Sequence, residues 1–361
     1  MKKTTITLFC ITAFALIIFS CSKKSPAPVT NNDSSTLEGQ ILTDFSNNLA
    51  NPNYQDIQAK AGVMLSAVNT LIATTNTANL LATRTAWKNT RAAWESCEGF
   101  LFGPVEDFNY DPDMDDWPVN RVDLDSLLAS SNPLTIDDIT PLATTLKGFH
   151  AIEYIIFGVG SSRKAADITA REKTYLASLA QNIYNTTTQL RNSWDPTQAN
   201  NFTVQVTTAG TGSTRFTTRK AFFLALTGSM SDICNEVADE KMQTPLAAQD
   251  STLDESSFSH NSTIDFTNNI TGVLHAYLSS YNGTSGHSLS ELVAAKNASL
   301  DNTIQSQINT AIASFKGITQ PYEQAIYTQQ NQIRTTQAAI RALKTTIDED
   351  LTTFIQANIK D

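Results

Sequence analysis

Residues 321–359 read PYEQAIYTQQNQIRTTQAAIRALKTTIDEDLTTFIQANI, and they carry the clearest periodic pattern in the chain. Large apolar residues recur there at every seventh position, at Ile326, Ile333, Ile340, Ile347 and Phe354, with Leu343 and Leu351 beside them. A sustained seven-residue repeat places its members on one stripe of a helix and is typical of bundle packing. The pattern predicts a long helix from about Pro321 to Ile359, buried along one side.

The same periodicity continues upstream of this helix. It predicts helices over residues 57–74, 80–102, 141–158, 168–194, 214–243, 262–281 and 288–315. Between them we expect a long irregular connection over 105–139, an interdomain joint over 158–166 and a surface loop or hairpin over 200–212. The expected fold is all-α, with two helical-bundle domains at residues 36–162 and 163–361.

The N-terminal residues have the pattern of an export signal. Lys2 and Lys3 precede an apolar run over residues 4–19, which is short for a membrane span. Ile18 lies three residues before Cys21, as in bacterial lipoprotein signals, so residues 1–20 are predicted to be a signal peptide and Cys21 the lipidated first residue. An uncleaved anchor would give nearly the same topology. Residues 21–35 are rich in Ser, Pro and Asn and predict a flexible tether.

The charge and hydrophobic content of the chain exclude some classes of protein. The chain has 361 residues and a formal charge of −10 at pH 7, so it lacks the basic balance that nucleic-acid binding requires. Its hydrophobic content of 41% is sufficient for a packed core. Cys97 and Cys234 would remain after signal removal in an oxidising compartment, and either a disulfide or two buried free thiols is open.

The segment KGFHAIEY at residues 147–154 contains the first candidate for chemistry. His150 and Glu153 are three residues apart, so both project from one face of a helix. Together they could form half of a metal site or an acid/base pair, while a hydrogen-bonded structural histidine is the alternative. Gly148 costs about 1 kcal/mol relative to Ala inside a helix. Its presence indicates that something packs closely against it.

A second candidate face lies on the preceding helix, where Arg91, Glu95 and Glu98 share one side. One reading is a solvated salt-bridge stripe that pairs Arg91 with Glu95. The other is that Glu98 supplies an oxygen ligand across the bundle to His150 and Glu153, as in bundle metal sites.

The acidic run Asp111, Asp113, Asp115 and Asp116 is a weaker candidate. It lacks the Gly and Glu that a calcium-binding EF-hand loop needs at its sixth and twelfth positions. We therefore predict a solvated acidic loop there.

Four motifs, in the same order, resemble those of the imelysin family, once called insulin-cleaving membrane proteases. They are Arg91-x-x-Trp94-x-x-x-Glu98, Trp117-Pro118-Val119-Asn120, Gly148-x-His150-x-x-Glu153, and residues 255–259 followed by 265–272. The resemblance implies two bundle-like helical domains, with the Gly-x-His-x-x-Glu helix near their interface. It also implies an extracytoplasmic, often lipid-anchored protein linked to iron uptake.

By this resemblance, His150, Glu153 and Glu98 are the expected metal-contacting residues. Arg91, Trp117 and Ser259 are expected neighbours of the site. The implied cofactor is a divalent metal, iron or zinc.

The residues around His150 also indicate whether the chain could be a zinc peptidase, as the older family name suggests. An inverted zinc motif reads His-x-x-Glu-His, but Tyr154 occupies the place of the second histidine. Catalytic zinc needs three protein ligands, an open position and a separate base, and the sequence names no base. One histidine with two carboxylates suits iron or manganese at least as well as zinc.

We therefore predict a non-enzymatic, metal-binding lipoprotein with an uptake-associated role. It would be held at the outer membrane or cell surface through lipidated Cys21, with no nucleic-acid partner. The first alternative is a zinc metallopeptidase of the imelysin type. The second is a surface lipoprotein that binds haem or a protein partner, the identity of which the sequence does not show.

Overall fold

The computed structural model describes residues 34–359, and the prediction of an all-α fold is confirmed: 76% of these residues are helical and none of them forms a β-strand. In the described part of the chain, the α-helices in order are α1 Ser34–Asp44, α2 Asn51–Ala73, α3 Thr77–Glu95, α4 Pro104–Asp107, α5 Tyr110–Asp115, α6 Arg121–Ala129, α7 Ile136–Ile139, α8 Gly148–Phe157, α9 Ala170–Trp194, α10 Phe202–Thr207, α11 Arg219–Asn235, α12 Gln243–Ala248, α13 Ser262–Leu278, α14 Leu289–Lys296, α15 Ala298–Ser314, α16 Tyr322–Thr328, α17 Gln330–Thr345 and α18 Thr352–Asn358. Turns of π-helix at Phe45–Ala50, Glu236–Lys241 and Thr346–Leu351 join neighbouring helices.

The C-terminal heptad stripe is buried as predicted, with Ile333, Ile340 and Ile347 fully inaccessible to solvent. The helix that carries it is interrupted once. Gln329 leaves helical geometry, with φ −128° and ψ 36°, and its side-chain oxygen accepts the backbone N–H groups of Thr319 and Gln320. The predicted single helix is therefore α16 followed by the continuous run of α17, a π turn and α18.

Three other predictions about local structure were wrong. The segment over 105–139 is not irregular, because it contains α4 to α7. Caps that hydrophobic periodicity does not detect start two of these helices: Asn120 accepts the N–H of Asp123, and Thr135 and Asp138 form a capping box. Residues 200–212 likewise include α10. The helix expected from residue 141 begins only at Gly148, whose φ of +76° cannot continue a right-handed helix.

Close backbone packing sets the distance between two of the helices that carry polar side chains. A Cβ added at Gly99 would lie 2.5 Å from the carbonyl carbon of Gly272, and one added at Gly272 would lie 2.8 Å from Ser96 O. The 3₁₀ turn Glu98–Phe100 is therefore in direct contact with α13. Contacts of this kind require glycine on both sides.

Residues from Ser34 onward form one compact unit. Helix α9 packs along α2, although the predicted boundary after residue 162 assigns them to different bundles. The division into two bundles is thus not confirmed and stays a prediction. The predicted signal peptide, Cys21 and the tether up to residue 33 lie outside the described residues.

The structure also shows the state of the two cysteines and the character of the longest helices. Cys97 and Cys234 are both buried free thiols, the second of the two alternatives left open. Among residues 34–359, no helix combines the length and hydropathy needed to cross a bilayer.

Candidate metal centre

Helix α8 carries His150 and Glu153, and the structure buries both side chains. His150 Nδ1 lies 3.0 Å from Glu153 Oε2, and His150 Nε2 lies 3.1 Å from Asp115 Oδ1. The second oxygen of Glu153 accepts the backbone N–H of Ser259 at 2.7 Å. The imidazole is therefore held between two carboxylates, and Ser259 lies at the site through its main chain.

The contact between α5 and α8 explains why Asp115 reaches His150. A Cβ added at Gly148 would lie 2.3 Å from the carbonyl oxygen of Met114, so glycine permits the two chains to touch. The indole N–H of Trp94 then donates to Asp115 Oδ2 at 2.7 Å. The close packing predicted at Gly148 is the contact that brings the end of α5 onto the face of α8.

Arg91 lies at the centre of the buried polar cluster. Its guanidinium pairs with Asp115 and Glu95, lies 3.0 Å from Glu255 Oε1 and lies 3.7 Å from Asp265 Oδ2. The predicted pairing of Arg91 with Glu95 is present, but the expectation that it is solvated was wrong. Both side chains are fully buried, because this face of α3 packs against α8 and α13.

Glu98 belongs to the same buried cluster but has no hydrogen bond or ion pair with His150 in the structure. It begins the 3₁₀ turn after α3, so the predicted helix ends before it, but its carboxylate still lies beside that of Glu95, as the sequence predicted. Its Oε2 accepts from Lys241 Nζ at 3.3 Å and from the side-chain amide of Asn269 at 2.8 Å. The same Lys241 ammonium lies 3.0 Å from Glu255 Oε1.

The loop that contains Trp117 adjoins this side of the cluster. Lys241 Nζ lies 4.9 Å from the centroid of the Trp117 ring, within the range of a cation–π interaction. The indole therefore covers the Lys241 ammonium.

Two sets of ligand atoms within the described residues converge to within 4.8 Å of one another. One is Asp115, His150 and Glu255, and the other is Glu95, Glu98 and Asp115. All are buried, and both sets are compatible with a divalent metal whose bonds run at about 2.0–2.2 Å. The three predicted ligands are not brought to one point: His150 and Glu98 fall in different sets, and Glu153 falls in neither.

Sequence reasoning missed Asp115 and Glu255 as candidate ligands. Asp115 was assigned to a solvated loop, yet it is buried at the end of α5. A signal was present, since Tyr110 and Met114 are four residues apart and predict a helical turn with an inward face. Glu255 belonged to one of the quoted motifs, but nothing in its spacing indicated a ligand.

The charges of the cluster are unbalanced. Six buried carboxyl groups share two buried cations, Arg91 and Lys241; the carboxyl groups are those of Glu95, Glu98, Asp115, Glu153, Glu255 and Asp265. Burial raises the pKa of Glu95 to about 7 and that of Asp265 to about 6, and it raises the pKa of Glu98 well above its ordinary value. Burial also acts to raise the pKa of Glu255, but Lys241 and Arg91 outweigh it and lower that pKa to about 2.

These shifts predict that the protein loses stability as the pH rises through neutrality. A carboxyl group with a raised pKa holds its proton more tightly in the folded chain, so the folded state binds more protons between the unfolded and folded pKa values. In metal chelator, we expect the free energy of unfolding to fall by about 1–4 kcal/mol between about pH 5 and pH 7.5. Urea titrations across this range measure it.

The variant Glu95→Gln removes the group with a folded pKa of about 7 and should give a shallower dependence on pH. Glu291→Gln is the control, because Glu291 is half exposed on α14 and should leave the slope unchanged. A slope of equal steepness in Glu95→Gln and the unmodified chain would contradict the assignment.

Comparison with known proteins identifies the family of the chain. The family model described as Imelysin matches residues 50–349. Iron-regulated protein A of Synechococcus elongatus is 27% identical over 99% of this chain and 95% of its own length. The crystal structure described as that of an iron-regulated protein A precursor from Parabacteroides distasonis superposes with a TM-score of 0.79 at 24% identity, covering 89% of this chain and 95% of that one.

An imelysin-like protein from Psychrobacter arcticum has the same fold at 13% identity, with a TM-score of 0.73 over 92% of this chain and the whole of its own. The two solved structures thus agree with the helical architecture described above. The family match spans most of the chain and includes all six carboxyl groups, both cations and His150 of the buried cluster. The chain therefore belongs to the imelysin family.

Proposed function

We propose that this protein binds a divalent metal, iron, in an uptake-associated role and without catalysis. The observation that carries the proposal is the buried convergence of Asp115, His150 and Glu255 within 4.8 Å. The relative from S. elongatus is named for its regulation by iron, and this link supports iron as the metal.

The donor set fits such an ion. One imidazole nitrogen with two carboxylate oxygens is a hard set that suits Fe²⁺ at least as well as Zn²⁺. Glu255 Oε2 is buried without a hydrogen-bond partner among the described residues, so one lone-pair donor is available. Glu153 holds the ring of His150 through Nδ1, which is the orienting contact that metal-bound histidines usually have.

The charge balance also favours a bound cation. Arg91 pairs with Asp115 and Glu255 in the structure, so an ion would share or take over these oxygens. Fully ionised, the six carboxyl groups would exceed the two cations in charge, and without an ion burial limits this excess by raising the pKa of Glu95, Glu98 and Asp265, which favours their protonated forms. A divalent ion would offset that excess.

The same contacts favour binding over hydrolysis. A catalytic metal needs a base that is not itself a ligand. Glu153 is the nearest acid to His150 outside the ligand set, but its oxygens are engaged by the His150 ring and by the Ser259 N–H. We therefore assign Glu153 to positioning the histidine.

The membrane attachment of the protein is part of the proposal and depends on the sequence. The lipoprotein-type signal before Cys21 would place the folded residues outside the cytoplasm, tethered to a membrane surface. Uptake-associated binding at such a surface matches the family's implied role.

Metal loading tests the proposal. Full-length protein exposed to Fe²⁺ under anaerobic conditions and then desalted should retain about one iron per chain by elemental analysis. Asp115→Asn, His150→Gln and Glu255→Gln should each weaken iron binding at least about tenfold, measured by competition with a chromophoric chelator. His287→Gln is the matched control, because His287 also pairs with a glutamate, Glu291, but is 40% exposed on its side chain.

Three results would contradict the proposal. Unchanged iron binding in all three variants would show that Asp115, His150 and Glu255 do not form the iron site. Cleavage of insulin or casein by the zinc-loaded protein, lost in His150→Gln, would favour the peptidase. A Soret band on haem titration that persists in the three variants, with no iron retained, would favour a haem-binding protein.

A further inference from the structure

A cavity of about 570 Å³ opens beside the metal centre. The loop after Trp117 forms one wall, and the segment before α13 forms the other. We name it the Glu323 cavity after the acidic residue of α16 that lines it. Its volume lies in the range of sites for small organic ligands, about 300–1,000 Å³. Much of its wall is apolar, from Val119, Val122, Val159, Leu253 and Phe258.

At the acidic end of the Glu323 cavity, several carboxylate oxygens accept no hydrogen bond from the part of the chain that the structure describes. Asp254 Oδ1, Glu255 Oε2 and Glu323 Oε2 are buried and have no hydrogen-bond partner among the described residues. Asp254 and Glu255 are 1% and 2% exposed. Because buried polar atoms are nearly always hydrogen-bonded, three orphaned oxygens around one cavity point to a ligand that donates to them.

The basic groups near this end do not supply those donors. His260 Nδ1 lies 2.5 Å from the other oxygen of Glu323. Arg121 also lines the cavity, but its guanidinium lies 5.3 Å from the centroid of the Tyr154 ring. Burial raises the pKa of Asp254 well above its ordinary value and also raises that of Glu323, so the neighbouring groups do not compensate the charged forms of these two carboxyl groups.

We propose that the Glu323 cavity binds a small organic cation, in which an ammonium or guanidinium group is attached to an apolar body. The charged end would donate to Asp254, Glu255 and Glu323, and the body would lie against the valine-rich wall. A metal ion fits this cavity less well, because no set of three ligand atoms that includes Asp254, His260 or Glu323 converges within 4.8 Å in the described residues. Glu255 Oε2 is also a candidate ligand of the metal centre, so a bound iron ion would compete with the organic cation for this oxygen, and the cation is therefore tested in the absence of metal.

Calorimetric titration of the full-length chain in EDTA tests the idea separately from metal loading. The probe is benzylammonium, with benzyl alcohol and benzoate as neutral and anionic analogues of the same shape. We expect benzylammonium to bind with a Kd of about 1 mM or tighter and the two analogues to bind at least about tenfold more weakly.

Two variants locate the binding. Glu323→Gln should weaken benzylammonium binding about tenfold by removing a charged acceptor. Val159→Trp should block the mouth of the cavity, where Val159 is 58% exposed. Val204→Trp is the matched control, because Val204 is similarly exposed on α10 and does not line the cavity. Circular dichroism verifies that each variant is folded.

Equal affinity for benzyl alcohol would show an apolar cavity without charge selection and would overturn the proposal. Absence of benzylammonium binding up to about 10 mM would overturn it as well. So would a Kd left unchanged by both Glu323→Gln and Val159→Trp.

Discussion

Replacing Arg91 by methionine is expected to lower the free energy of unfolding by about 3–5 kcal/mol at pH 7. Arg91 is fully buried, and its guanidinium pairs with Glu95, Asp115 and Glu255. Removing it would leave those carboxyl groups without their shared cation in a region that water does not reach. Urea unfolding followed by circular dichroism, in chelator, measures the loss.

The matched control is Arg341→Met. Arg341 also forms a two-nitrogen contact with one carboxylate, that of Asp239, but these side chains are 44% and 38% exposed. Exposed ion pairs contribute about 0–1 kcal/mol, so this variant should lose little stability. Equal losses for Arg91→Met and Arg341→Met would mean that the buried cluster does not depend on its central cation.

The second large effect is expected for Gly148→Ala, which should destabilise the protein by about 2–5 kcal/mol. Two costs add. The left-handed backbone of Gly148 costs about 1–2 kcal/mol for a residue with a side chain. The new methyl group would also lie 2.3 Å from Met114 O, and relieving such an overlap costs about 1–3 kcal/mol. Thermal and urea unfolding measure the sum.

Gly160→Ala separates these two costs. Gly160 has a similar φ of +63°, but an added Cβ would meet nothing within 4 Å. It should therefore lose only the backbone part, about 1–2 kcal/mol. Gly148→Ala should also weaken iron binding, because separating α5 from α8 moves Asp115 away from His150, while Gly160→Ala should not. Similar losses of stability in the two variants would refute the close contact.

The sequence predicted the features that depend on local periodicity. The heptad residues of the last helix, such as Ile333 and Ile340, are buried because a helical repeat alone determines which side they share. The contact between His150 and Glu153 was also foreseeable, since one helical turn brings them together.

The remainder of the site depends on which segments meet in three dimensions. Asp115 reaches His150 only because Gly148 lets α5 touch α8, and no repeat in the sequence encodes that contact. Glu255 comes from a loop, and Lys241 comes from a π turn, where helical spacing gives no guidance. Glu98 was expected to join His150 and Glu153, but its carboxylate accepts instead from Lys241 and Asn269, which come from distant segments.

The pair between Arg91 and Glu255 joins residues 164 positions apart, and this separation has a consequence for when the protein can acquire its ion. Contacts so distant along the chain form late, after the intervening segments have collapsed. In a nascent or partly translocated polypeptide, the carboxylate ligands would not yet lie close together, so the metal site would not have formed. Under the proposed export, the protein would therefore cross the membrane without a bound ion and would bind its metal outside the cytoplasm.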